Sequence, residues 1–205
     1  MAWGLAMVAI AFLGLRFATI SMGQSGLEPM AYFTPTPATT AAQVTTESVF
    51  DAGVEYWDQD IARWSVEYGV DEVDVKTLMQ IESCGNPRAV SSSGAMGLFQ
   101  VMPFHFYPGD NMIDPDTNAK KGLEFFHNLR ENSGDLGQAY IGYNGGPSQM
   151  GRSYDQLPSQ TQRYLWWSGM RVQAANGEEM SILGEWYKAG GYSLCQKAHE
   201  VLGIK

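Results

Sequence analysis

Phe50, Val54, Trp57, Ile61, Trp64 and Tyr68 recur at spacings of four, three, four, three and four, a set that only a helix turns onto one face. The intervening Asp51, Glu55, Asp58, Asp60, Arg63 and Glu67 are expected to face water, and Gly69 to end the helix. The stripe is shorter than about three heptads, so a core helix fits better than a coiled-coil seam. Asp74 is expected to cap a second helix carrying Val75, Leu78, Met79 and Ile81, which Gly85, Asn86 and Pro87 stop, leaving Glu82 in its last turn. Asp116 or Thr117 is expected to cap a third helix with Leu123, Phe126 and Leu129. Residues 136–143 read as a fourth, ended by Asn144-Gly145-Gly146-Pro147. Only residues 91–101 leave room for an irregular or β segment. The fold class is therefore mainly α, packed helices around a cleft.

Upstream of this region the composition changes. Residues 2–15 are an uncharged apolar run ending at Arg16, long enough for a signal-peptide core but short of the ~20 residues that cross a bilayer. Ser21-Met22-Gly23 places small residues where a cleavage site needs them. There is no Lys or Arg in the leading region, and an apolar segment continuing past a snorkelling Arg16 to Ile20 would instead remain as a membrane anchor. Residues 24–47, with Thr34-Pro35-Thr36-Pro37, cannot form a helix or bury much apolar area and read as an extended linker. The expected organisation is a signal peptide or anchor (1–23), a linker (24–47), a folded helical domain (48–170) and a C-terminal helical extension (171–205), exported to the periplasm, cell wall or exterior.

Thirteen Lys and Arg against 22 Asp and Glu give a formal charge of −9, which leaves no basic surface for phosphates and excludes nucleic acid as the main partner. The three histidines show no HExxH spacing for zinc. Asp114, Asp116 and Asn118 resemble the start of a calcium loop, but Ala119 stands where the loop needs Gly and Phe125 where it needs Glu, so turn and N-cap roles are expected. No metal or organic cofactor is called for. Two cysteines suffice for one bridge. In an exported protein Cys84 and Cys195 are expected to form it, holding the C-terminal segment beside the end of the second helix.

Glu82 is the unusual residue. A carboxylate at a helix C-terminus is unfavourable by ~0.3–1 kcal/mol, and the same placement beside Met79 and Ile81 raises a carboxyl pKa towards what a general acid needs. On local pattern alone, a solvent-facing Glu that tolerates the dipole is the simpler reading. Downstream, residues 91–103 form a small-residue loop with Gly94 and Gly97, followed by an apolar run interrupted by Gln100, whose amide can both donate and accept hydrogen bonds.

Together, Gln80-Ile81-Glu82-Ser83-Cys84-Gly85-Asn86-Pro87, residues 91–103 and Ile141-Gly142-Tyr143-Asn144-Gly145-Gly146-Pro147 resemble the lytic transglycosylases of the soluble-Slt type, in the lysozyme-like superfamily. The family pattern is a Glu-Ser helix end, a Gly-Leu-Met-Gln-x-Met-Pro segment and an Ala-Tyr-Asn-Ala-Gly-Pro segment in this order, and the resemblance spans about residues 65–168. It implies a lysozyme-like fold around a glycan-binding cleft. Glu82 would be the single catalytic acid and base, Ser91 would hydrogen-bond near it, and Gln100, Tyr143, Asn144 and Tyr164 would hold the glycan. Phe99, Ser92 and Gly145 depart from the usual Met, Pro and Ala. The implied reaction cleaves the bond between N-acetylmuramic acid and N-acetylglucosamine in peptidoglycan and leaves a 1,6-anhydromuramic end. A goose-type lysozyme and a non-catalytic peptidoglycan-binding or assembly protein are the alternatives.

Overall fold

The computed structural model describes residues 48–176 and 182–205; the expected leader and linker, and Met180, lie outside the described residues. The aromatic stripe forms two helices, α1 (Ala52–Glu55) and α2 (Asp58–Tyr68). They separate at Trp57, whose indole N–H donates to the carbonyl of Gly85 at 2.9 Å, so the ring that would continue the helix face instead ties the chain to the end of α3 (Glu72–Glu82). Asp51 does not face water. It caps α1 by accepting from the Gly53 N–H at 2.6 Å and is 1% exposed, because the C-terminal helices close over it.

Helix α3 begins at Glu72 after Asp71, one turn earlier than the pattern around Asp74 suggests. Asp74 lies inside the helix and is buried, accepting from Tyr140 Oη at 2.8 Å; burial pushes its carboxyl up to about 6. Helix α4 (Pro115–Ser133) is capped by Asp114, not by Asp116 or Thr117. Asp114 accepts from the Thr117 N–H at 2.9 Å, and Pro115 occupies the first turn, where its missing N–H costs nothing. Asp116 is thereby free to accept from Arg63 at 2.6 Å and from the Trp64 indole at 2.8 Å, joining α4 to α2.

Helix α5 (Leu136–Gly145) is capped by Asp135 and runs through Asn144, slightly beyond the expected span. Helix α6 (Ser159–Ala175) passes residue 170 without a break, so the boundary expected there falls inside one helix. The main core gathers Trp64, Leu78, Met79, Leu98, Phe99, Leu123, Phe126 and Tyr140 from α2 to α5 and the loop before α4. In that loop Met96 pairs antiparallel with Val90 and with Val101, and these isolated bridges are the β structure of the described residues. None of their helices is long and apolar enough to cross a membrane.

The C-terminal residues form α7 (Ile182–Trp186), a wide turn kinked at Gly190, and α8 (Tyr192–Leu202). A disulfide joins Cys84 to Cys195, and with Trp186 and Ala198 it makes a second small core. Around it His199 Nε2 lies 2.6 Å from Asp51, Tyr187 donates to the same carboxylate, and Arg171 lies buried against the Trp167 and Trp186 rings. Burial lowers the Arg171 guanidinium to about 9.

The bridge closes a loop across a sequence separation of 111. Cys195→Ser is expected to lower unfolding free energy by ~2–5 kcal/mol, seen as a lower urea midpoint, and reductant should shift the wild type but not the variant.

Candidate active site

Three segments converge on Glu82, and each does so for a local reason. Helix α3 stops at Glu82 because Cys84 and Gly85 take left-handed backbone angles (φ 53° and 86°). A side chain at Gly85 would meet the Gly53 carbonyl at 2.0 Å, so α1 and this turn touch backbone to backbone. Ser83 then donates from Oγ to the Leu98 carbonyl at 2.7 Å, fastening the helix end to the loop that carries Gln100.

That loop is held by Asn118, which is expected from the sequence only to serve a turn or a helix cap. Asn118, fully buried on α4, accepts from the Phe99 N–H at 2.9 Å and donates from Nδ2 to the carbonyls of Met96 and Met112, each at 2.8 Å. Gly97 is required beside it, since a Cβ there would lie 2.4 Å from Asn118 Nδ2. Gln100 adopts φ 46°, an unfavourable conformation for a residue with a Cβ, and its amide donates to the carbonyls of Ala89 and Gly97 at 3.2 and 3.1 Å. Ser91 accepts from the Ala95 N–H at 2.9 Å, which shapes the loop.

From the other side, Tyr164 on α6 donates from Oη to Glu82 Oε1 at 2.8 Å. Tyr143 on α5 donates to the Phe99 carbonyl at 2.8 Å and lies close enough to Glu82 to feel its charge. Asn144 Oδ1 accepts from Thr161 Oγ1 at 3.1 Å, joining α5 to α6. The structure thus brings Tyr164 into direct contact with Glu82 and sets Tyr143 beside it, whereas Ser91, Gln100 and Asn144 hydrogen-bond within their own loop or to a neighbouring helix. Asn118 and Thr161 lie in segments that share the family resemblance, Asp114-Pro115-Asp116-Thr117-Asn118 and Thr161-Gln162-Arg163-Tyr164, but neither was expected to act as a support.

Glu82 retains some contact with solvent, yet dense packing around its carboxyl pushes the pKa up to about 7, with the Tyr164 hydrogen bond pulling the other way. No second carboxylate contributes to that shift. Burial and the Glu82 charge hold both phenols well above their ordinary values, so Tyr143 and Tyr164 remain donors at neutral pH. The arrangement is one carboxyl that exchanges a proton near neutrality, among fixed donors and acceptors. The sulfurs of Cys84 and Cys195 lie with Asp51 in one buried cluster, but they are joined to each other.

Residues 59–165 match the model of the transglycosylase SLT domain, and the chain belongs to that family. Among curated proteins it is 35% identical over 100 residues to a transglycosylase of Enterobacteria phage PRD1, covering 48% of this chain and 38% of that one. It is 55% identical over 81 residues to membrane-bound lytic murein transglycosylase C of Edwardsiella ictaluri, covering 40% of this chain and 22% of that one. The chain therefore spans well under half the length of these relatives. Among solved structures, an inactive mutant of lytic transglycosylase Slt from Pseudomonas aeruginosa aligns at a TM-score of 0.49 with 18% identity, over 60% of this chain and 25% of that one.

Because the folded pKa of Glu82 exceeds that of an unfolded glutamate, the folded state holds its proton longer, and stability should fall as pH rises from about 4.5 through 7. Glu82→Gln should remove the Glu82 share of that slope, leaving below about pH 6 the share that buried Asp74 contributes, and at pH 8 should leave the protein more stable by on the order of 1 kcal/mol, a figure discounted for partial solvent contact. Thermal melts across this window test it. Tyr164→Phe removes the one bond that favours the carboxylate and should move the Glu82 carboxyl titration, followed by carbon NMR, to higher pH.

Proposed function

We propose that this protein is a peptidoglycan lytic transglycosylase in which Glu82 is the catalytic acid and base. The observation that carries the reading is the lone Glu82 carboxyl, raised to about 7, hydrogen-bonded by Tyr164 and without a second carboxylate acting on it. A glycosidase that activates water or forms a glycosyl-enzyme commonly flanks the bond with two carboxyl groups. With one, the proton must go out and return through the same residue. Protonated Glu82 donates to the glycosidic oxygen as the bond to C1 of N-acetylmuramic acid breaks. The resulting carboxylate then takes the proton of the C6 hydroxyl as its oxygen bonds to C1, and a 1,6-anhydro ring forms with no water consumed.

In this reading Tyr164 positions the Glu82 carboxyl and keeps its pKa from rising further. Tyr143 and Asn144 bound the sugar site from α5, and the loop presenting Gln100 and Ser91 forms the opposite wall. The reaction needs no cofactor. The buried disulfide supports an oxidising compartment, outside the cytoplasm, which agrees with an exported chain and with relatives named membrane-bound murein enzymes. The partner is the glycan strand. Whether the leader is cleaved or retained as an anchor is read from the N-terminus of the mature protein.

Glu82→Gln should fold and lose essentially all cleavage, a fall of about 10²-fold or more in turnover, because the amide neither donates an acidic proton nor accepts one back. Mass spectrometry of wild-type digests should show anhydro-ended muropeptides, lighter by one water than hydrolysed ones and resistant to borohydride. Reducible muramic ends would identify a goose-type hydrolase instead, and binding to peptidoglycan without cleavage a non-catalytic protein.

A further inference from the structure

Between Gln100 and α4 the chain crosses the surface as a strap containing a short turn, Pro103–His105. Two large rings on it project into solvent: Phe104 is 76% exposed and Tyr107 71%. Exposed rings close together on one surface segment mark binding surfaces more often than isolated ones do. The group is also continuous with the Glu82 site. Phe104 meets His105 at 4.4 Å between ring centroids, His105 meets Phe125 of α4 at 5.1 Å, and Phe125 meets Tyr143 at 5.7 Å. Burial and the charge of Lys121 lower the His105 pKa, so its ring stays neutral within this series.

A cation lies beside the strap. Lys121 on α4 places Nζ 3.8 Å from the Tyr107 ring centroid, and it pairs with no carboxylate among the described residues of a chain whose formal charge is −9. A pyranose offers a face of C–H groups that packs on an aromatic ring while its hydroxyls stay in water. A muramic residue adds a lactyl group whose peptide stem bears carboxylates. Two exposed rings, one of them faced by an unpaired ammonium, complement that combination.

We propose that Phe104, Tyr107 and Lys121 form an outlying subsite for a muramic residue carrying its anionic stem, on the same strand as, but outside, the two sugars flanking the cleaved bond. The inference rests on the peptidoglycan reading of the Glu82 site and names how more of the strand is held. The rings take the sugar face, and Lys121 takes the stem carboxylate.

The test uses the full chain with soluble peptidoglycan strands, either intact or stripped of their stems by an amidase, together with cosedimentation on insoluble sacculi. Phe104→Ala and Tyr107→Ala should each raise KM on both substrates about three- to tenfold, and Phe104→Trp should restore it. Lys121→Gln should raise KM on stem-bearing strands only, and added salt should erase that difference in the wild type. All four changes are at the surface, and unchanged circular dichroism melts would exclude misfolding. Unaltered KM and unaltered sedimentation in both alanine variants would overturn the subsite; an equal effect of Lys121→Gln on stripped strands would overturn the anionic part. Sedimentation reads binding without catalysis. A wild type that binds sacculi through Phe104 and Tyr107 yet cleaves nothing would sink the lytic reading and keep the subsite.

Discussion

The termination of α3 at Glu82 is the constraint on which the rest of the site depends. Two successive residues, Cys84 and Gly85, take left-handed angles there, and their conformation is fixed by contacts from every side. Trp57 reaches the Gly85 carbonyl, Ser83 reaches the Leu98 carbonyl, and Cys84 is covalently joined to α8. A non-glycine residue at positive φ stores strain that persists only where the surroundings over-determine it. Here the surroundings are α1, the Gln100 loop and the C-terminal helices, so the carboxyl inherits its position from all of them.

The same packing explains the electrostatics. Placing an acidic residue at a helix C-terminus and surrounding it with apolar groups opposes its ionisation twice, through the dipole and through desolvation. A single neutral donor, Tyr164, offsets part of this. The outcome is a carboxyl poised near neutrality by opposing terms, which is the condition under which one group serves as acid and then base with little bias either way. A second carboxylate nearby would have raised the pKa further and changed the chemistry available.

The C-terminal helices belong to this argument as structure. Asp51, at the start of α1, is shared between the Gly53 N–H, His199 and Tyr187, and the disulfide lies beside it. A buried carboxylate with several partners is costly to leave half-satisfied, so the cap of α1 depends on the docking of the C-terminal helices. Through Cys84 that pairing reaches the residue two positions after Glu82. The packed unit therefore extends beyond the residues that match the family model, 59–165.

Much of this was legible in the chain itself. The apolar periodicity gave the helices, and the Gly85-Asn86-Pro87 stop left Glu82 at a helix end. The helix ends were legible because local spacing and turn chemistry are properties of neighbouring residues, whereas Gln100, Tyr143, Asn144 and Tyr164 came into one reading only through the family resemblance of the three ordered motifs and the closing Thr161-Gln162-Arg163-Tyr164 segment. What it left open were choices between chemically equivalent partners. Asp71, Asp74, Asp114 and Asp116 are all acceptable caps, and only burial against Tyr140 and the reach of Arg63 and Trp64 decide which acid caps and which bridges. Asp51 looked like a solvent-facing residue because nothing nearby in the chain announces His199. The split of the aromatic stripe at Trp57 and the clamp made by Asn118 likewise depend on carbonyls of distant segments. Sequence alone thus determined the helix faces, their stops and the candidate residues of the site; the tertiary structure decided which of them meet, since a long-range hydrogen bond leaves no periodic trace in the chain.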